Sequence, residues 1–114
     1  MSIQVINPTN GKIVKTFPTE KKEIIDKKLA KAQKAFIKWR HLSVEERGEV
    51  AQKIAGDLEK NKKKYAKIIA TEMGKPLVQS VAEIEKSAKV CEYYAKNSKQ
   101  FLQPEHISIG TQES

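Results

Sequence analysis

The chain has 114 residues, 39% hydrophobic and 32% charged, with five glycines and four prolines. That size and composition fit one domain or part of one and favour an ordered, helix-rich fold over disorder, while no apolar run approaches membrane-spanning length and the N-terminus has no apolar signal core. The net charge of +8 admits an anionic partner, yet the 22 basic residues include only Arg40 and Arg47, a poor supply of the bidentate groups that read nucleic-acid bases.

The first element is a hairpin over residues 3–17. Ile3-Gln4-Val5-Ile6 and Lys12-Ile13-Val14-Lys15-Thr16-Phe17 flank Asn7-Pro8-Thr9-Asn10-Gly11, where Asn-Gly can supply positive φ angles for a tight turn. An isolated two-stranded hairpin is marginal in water, so it is expected to pack on a neighbouring surface. Pro18-Thr19 ends the second strand, and Thr19 is the expected N-cap of a helix over about 20–40. There Ile25, Leu29, Ala32, Phe36 and Trp39 share one face, while Lys27, Lys31, Lys34 and Lys38 share roughly the opposite one.

Ser43-Val44-Glu45-Glu46 has the spacing of a capping box and opens a second helix over 43–60, with Val44, Ala51, Ile54, Ala55 and Leu58 apolar. A third helix, 61–73, has Asn61 as its cap and Tyr65, Ile68, Ile69 and Met73 as its apolar positions. Gly74 stops it, and Pro76 is suited to open the next. The fourth helix, 76–102, is the longest. Leu77, Val81, Ile84, Ala88, Cys91, Ala95 and Leu102 form one stripe that is stable only if other elements cover it. Gln103-Pro104 breaks the pattern, and Ile107 and Ile109 alternate with His106 and Ser108 as a short strand or extended arm over 104–114. The fold class is therefore mainly α: an N-terminal β-hairpin, about four helices and an extended C-terminal tail, in a single unit.

Candidate chemistry is sparse. Cys91 lies on the apolar stripe and reads as a small hydrophobe rather than a nucleophile. It is the sole cysteine, which excludes an internal disulfide and fits a cytoplasmic setting. His41 and His106 lack neighbours at ligand spacing, so no metal site is expected. Glu83 and Glu85, two apart on a helix, point different ways and are not an acid/base pair. Gly74 and Gly110 are isolated, and no dinucleotide fingerprint occurs. Lys60-Asn61-Lys62-Lys63-Lys64 reads as a solvated junction rather than an anion site. Trp39 reads as core, and Tyr93 and Tyr94 are weighed as stacking platforms for bases.

Several stretches together resemble the N-terminal part of the NAD(P)-dependent aldehyde dehydrogenase superfamily, and most of all its succinate-semialdehyde dehydrogenase branch. They are Ile6-Asn7-Pro8-Thr9-Asn10-Gly11-Lys12-Ile13, Trp39-Arg40, Ser43-Val44-Glu45-Glu46-Arg47-Gly48, Thr71-Glu72-Met73-Gly74-Lys75-Pro76-Leu77 and Ala82-Glu83-Ile84. The resemblance implies a hairpin and helices packed around a Rossmann-like cofactor domain, with the segment after the long helix leading toward an oligomerisation arm. It also implies that the cofactor crevice, the glutamate base and the cysteine nucleophile lie beyond Ser114. No residue here matches a family catalytic, cofactor-binding or metal motif. The chain is accordingly expected to bind no cofactor itself, although NAD(P) serves the parent family, and to be inactive alone. Its expected partners are the rest of the enzyme or further copies of itself. Two other readings stand beside this one: a small basic helical module for nucleic acid or another polyanion, motivated by the Lys stripe, and a free-standing domain that recruits a protein partner.

Overall fold

In a computed structural model, which describes residues 1–110, the chain forms a β-hairpin followed by four helices. Strand β1 (Ser2–Ile6) pairs antiparallel with β2 (Ile13–Pro18), with Ile3 opposite Phe17 and Ile6 opposite Ile13. The turn is wider than a two-residue connection. Asn7 N–H donates to the Lys12 carbonyl (2.9 Å) and Gly11 N–H to the Asn7 carbonyl (2.8 Å). Gly11, at φ +69°, is the residue of the turn with positive φ, and Asn10 is not. Thr19 does not cap a helix. Its hydroxyl donates to the Met1 carbonyl at 2.8 Å and closes the open end of the hairpin.

Helix α1 (Lys22–Trp39) begins two residues later than the Thr19 cap would place it, and no side chain caps it. Helix α2 (Val44–Lys60) carries the full capping box: Ser43 Oγ accepts from Glu46 N–H, and the Glu46 carboxylate accepts from Ser43 N–H. Asn61 joins α2 to α3 (Lys62–Met73), but its side-chain amide donates backward to Asp57 rather than capping α3. Gly74 ends α3 in the left-handed region at φ +70°, and Pro76 precedes α4 (Leu77–Phe101). Residues 103–110 carry no regular secondary structure, so the alternation around Ile107 is not a strand. Residues 111–114 of the expected arm lie outside the described residues.

Helices α2 and α4 run antiparallel and form the main packing seam, with α3 against the N-terminal half of α4. The seam is close because its residues are small. Gly48, Ala55, Ala66, Ser80 and Ala88 are the buried positions of the helices. A Cβ on Gly48 would sit 3.1 Å from the Ala95 carbonyl oxygen, so α2 and α4 meet almost backbone to backbone there. Ser80 is buried with its hydroxyl donating to the Pro76 carbonyl at 3.1 Å, which removes the cost of an unpaired polar group. The hairpin reaches this unit at two places. Pro8 packs on Gly74, and Val14 lies beside Ile68 and Thr71 on α3.

Among the described residues, no large side chain is fully buried. Trp39, expected in a core, is 41% exposed, and Leu29 on the same face of α1 is 64% exposed. The radius of gyration is 21.5 Å, whereas a compact chain of this length would have about 13 Å. The accessible surface is 10043 Å², against about 6,300 Å² for a folded monomer of this mass. The greasy faces that the sequence predicts are present, but within this chain much of their area has nothing on it.

Candidate functional site

An open groove of about 480 Å³ runs along the α2–α4 seam, lined by Gln52, Gly56, Glu59, Glu85, Lys89 and Glu92 over a floor of Ala55 and Ala88. Gly56 leaves one wall low, since its α-carbon carries no side chain. Its carboxylates are engaged with each other's partners rather than aimed at a common point. Lys62 bridges Glu59 (2.6 Å) and Glu85 (2.7 Å), and Gln52 donates to Glu92 at 3.5 Å. The two carboxylates hold the Lys62 ammonium in its charged form and push its pKa up to about 12. Reciprocally, hydrogen bonding and charge from Lys62 lower the pKa of Glu85. At the far end of the seam Lys99 and Glu45 (2.7 Å) do the same to each other, with Glu45 lowered and Lys99 raised. Tyr65 donates to Asp57 at 2.5 Å, which raises the phenol because ionising it would lose that bond and face a carboxylate. These pairs fasten helix to helix. The shifts of Glu45, Lys62, Glu85 and Lys99 all run away from neutrality, as ion pairing requires.

The sequence candidates fall apart spatially. Cys91 is half-buried on α4. His41 is exposed in the turn after α1, and His106 is exposed in the C-terminal tail. Glu83 pairs with Lys75 and Glu85 with Lys62, so the two point to different partners. Among the described residues, no group of three or more His, Cys, Asp or Glu side chains could hold a metal ion, and no helix is long and apolar enough to cross a membrane. The described strands form one antiparallel pair, and no parallel βαβ unit offers strand ends and a glycine-rich loop to a dinucleotide. A dinucleotide crevice of that kind is thus not among the described residues.

What the chain presents instead is apolar surface. Lys63 and Lys67 flank a shallow trough over Leu77, Val78 and Val81 between α3 and α4. Toward the end of α4, Tyr93 packs edge-on against Tyr94 (5.3 Å between centroids) and tilted against Phe101 (6.0 Å), and all three remain about half exposed. The rings weighed as stacking platforms thus pack edge-on against each other. The unpartnered face of α1 continues the pattern. Gly48 and Ser80, which set the seam, were not apparent from apolar periodicity. The signal for Ser80 was its i+3 spacing from Leu77 and i−4 from Ile84, and for Gly48 its i−3 spacing from Ala51.

A preformed helical layer with an uncovered greasy side is what a segment of a larger fold looks like. Residues 1–114 match the aldehyde dehydrogenase family, and the chain belongs to it. Among its relatives, a probable NADP+-dependent succinate-semialdehyde dehydrogenase of Synechocystis is 35% identical over all of this chain and 25% of its own length. The NADP+-dependent succinate-semialdehyde dehydrogenase of Mycobacterium avium is 36% identical over 96% of this chain and 24% of its own. Among solved structures, the succinic semialdehyde dehydrogenase of Streptococcus pyogenes in complex with NADP+ superposes with a TM-score of 0.81 at 29% identity, over 88% of this chain and 22% of that one. A glyceraldehyde-3-phosphate dehydrogenase of Methanocaldococcus jannaschii complexed with NADP gives 0.84 at 27% identity, over 95% and 24%. The chain thus spans about a quarter of the length of the relatives it matches. None of these similarities supports the nucleic-acid reading.

Proposed function

We propose that this chain is the N-terminal structural segment of an NAD(P)-dependent aldehyde dehydrogenase of the succinate-semialdehyde type, and that it has no catalytic activity alone. The observation that carries this is the uncovered apolar surface of α1, α3 and α4 on a chain that matches only a quarter of its relatives' length. In this reading the segment covers one side of the cofactor domain and positions the arm that follows α4. The remaining three quarters supply the cysteine thiolate that attacks the aldehyde and the glutamate that activates water. NAD(P)+ accepts the hydride there. The antiparallel pairing of β1 and β2, with no parallel crossover beside it, supports placing the dinucleotide on that other part. The names of the relatives motivate succinate semialdehyde as substrate and NADP+ as cofactor. A cytoplasmic setting belongs to the same reading.

The purified 114-residue chain, given succinate semialdehyde with NADP+ or NAD+, is expected to produce no NAD(P)H above a protein-free blank. Turnover at any rate that scales with protein concentration overturns the reading. A separate polypeptide carrying the rest of the enzyme is expected to co-purify with the chain when the two are expressed together.

A further inference from the structure

We propose that Asn10 is a site of spontaneous covalent modification, in which the Gly11 backbone nitrogen displaces the Asn10 side-chain amide and leaves aspartate or isoaspartate at the tip of the hairpin. The chain has four asparagines, and the reaction sorts them. It needs a backbone N–H on the following residue as nucleophile, a small following residue that leaves room for ring closure, and backbone free of a helix. Asn7 precedes Pro8, which has no N–H. Asn61 and Asn97 lie at a helix junction and within α4, with their amides donating to Asp57 and to the Tyr93 carbonyl (2.8 Å). Each is followed by a residue with a side chain, Lys62 or Ser98.

Asn10 meets all three conditions. It is exposed, outside any helix, and followed by glycine. The space around Gly11 is open, with nothing within 4 Å of where a Cβ would stand. The Asn10 Oδ1 accepts from Lys12 N–H at 3.0 Å. That bond folds the side chain back along the peptide whose nitrogen would attack it and draws electron density from Cγ. One contact opposes the reaction: Gly11 N–H donates to the Asn7 carbonyl at 2.8 Å and must let go first. A solvent-exposed hydrogen bond is weak in net terms, so it slows the reaction about fivefold rather than blocking it.

The atoms balance without an outside reagent other than water. The deprotonated Gly11 nitrogen bonds to Asn10 Cγ, the Cγ–Nδ2 bond breaks, and ammonia leaves with the proton. The five-membered imide then adds water. Opening at the side-chain carbonyl gives aspartate. Opening at the main-chain carbonyl gives isoaspartate, whose backbone is longer by one methylene. That extra length falls inside the loop closed by the Asn7–Lys12 and Gly11–Asn7 bonds, next to the Pro8 ring seated on Gly74. The modified hairpin is expected to leave that seat.

The folded chain is incubated at mildly alkaline pH, and the tryptic peptide Met1–Lys12 is followed by mass spectrometry and by methyl transfer from an isoaspartyl methyltransferase. Asn10 is expected to convert first, at a rate within about tenfold of that in urea, because only one weak bond restrains it. Isoaspartate should accumulate in that peptide, and Asn10→Ser should abolish the signal while leaving the helical circular dichroism unchanged. Conversion of Asn61 or Asn97 ahead of Asn10, or a folded rate slower than in urea by more than that factor, overturns the proposal.

Discussion

At the scale of single residues, the two glycines with positive φ separate strain from docking. Gly11 and Gly74 sit at nearly the same φ, +69° and +70°. A methyl group at Gly11 would meet nothing, whereas one at Gly74 would stand 2.8 Å from the Pro8 ring. The left-handed conformation alone costs a side chain about 1–2 kcal/mol. Gly11→Ala should therefore lower stability by about that amount, and Gly74→Ala by that amount plus the loss of the hairpin's seat. Thermal unfolding of both variants, and of each combined with Pro8→Ala, tests this. The Pro8 change should relieve part of the Gly74→Ala penalty and none of the Gly11→Ala penalty. Gly48 poses the opposite case. Its obstacle is the Ala95 backbone carbonyl, which cannot swing away. Gly48→Val should pry α2 from α4 at a cost of about 1–3 kcal/mol, despite removing a helix glycine. Ser43→Ala removes half of the capping box and should cost about 1 kcal/mol, read as a lower midpoint of thermal unfolding.

At the scale of elements, the helices differ in what holds them. Helices α2, α3 and α4 share the small-residue seam, and ion pairs lace its edge. Helix α1 has no buried residue and no side-chain cap, and an isolated helix of 18 residues is marginal in water. Amide hydrogen exchange should accordingly be fastest in α1 and slowest at Gly48–Ala55 and Ser80–Cys91. Protection of α1 equal to that of α4 would contradict this. The Glu59–Lys62–Glu85 cluster makes the seam depend on pH at both ends. The folded-state pKa of Glu85 is lowered, so its contribution is present above the unfolded value of 4.5 and is lost as pH falls through the folded one. The pKa of Lys62 is raised to about 12, so its contribution is whole below 10.5 and is lost as pH climbs through about 12. Lys62→Met should therefore narrow the gap between melting temperatures at neutral and extreme pH. Glu59 is exposed and Lys62 and Glu85 are only partly buried, so the effect is small and weakens further with salt.

At the scale of the whole molecule, the dominant fact is area. A surface of 10043 Å² on a 12.9 kDa chain leaves apolar faces in water that a larger fold would cover. The isolated chain should self-associate, with a light-scattering mass that rises with concentration. A constant monomer mass over a wide concentration range counts against this. Trp39 is the only tryptophan and sits on the uncovered face of α1. Its emission should lie toward the red in dilute solution and shift to the blue when the chain associates or meets the remainder of the enzyme.

Much of the architecture was legible from local physics. Proline, glycine and the Ser43–Glu46 box punctuate the chain, and the 3.6-residue stripes of α1, α2 and α4 mark helices whatever lies against them. The family was legible too, because its marks are local stretches such as Glu72-Met73-Gly74-Lys75-Pro76-Leu77. Tertiary structure alone decided which stripe meets which. Periodicity says that a face is apolar but not what covers it, so Trp39 read as core and is exposed, while Gly48 and Ser80 carried no apolar signal and are buried. Backbone closeness is set by how little side chain lies between two helices, and that quantity belongs to the pair rather than to either sequence segment. Thr19 shows the same dependence at its smallest: its hydroxyl found the Met1 carbonyl across the hairpin before it could serve the helix beside it.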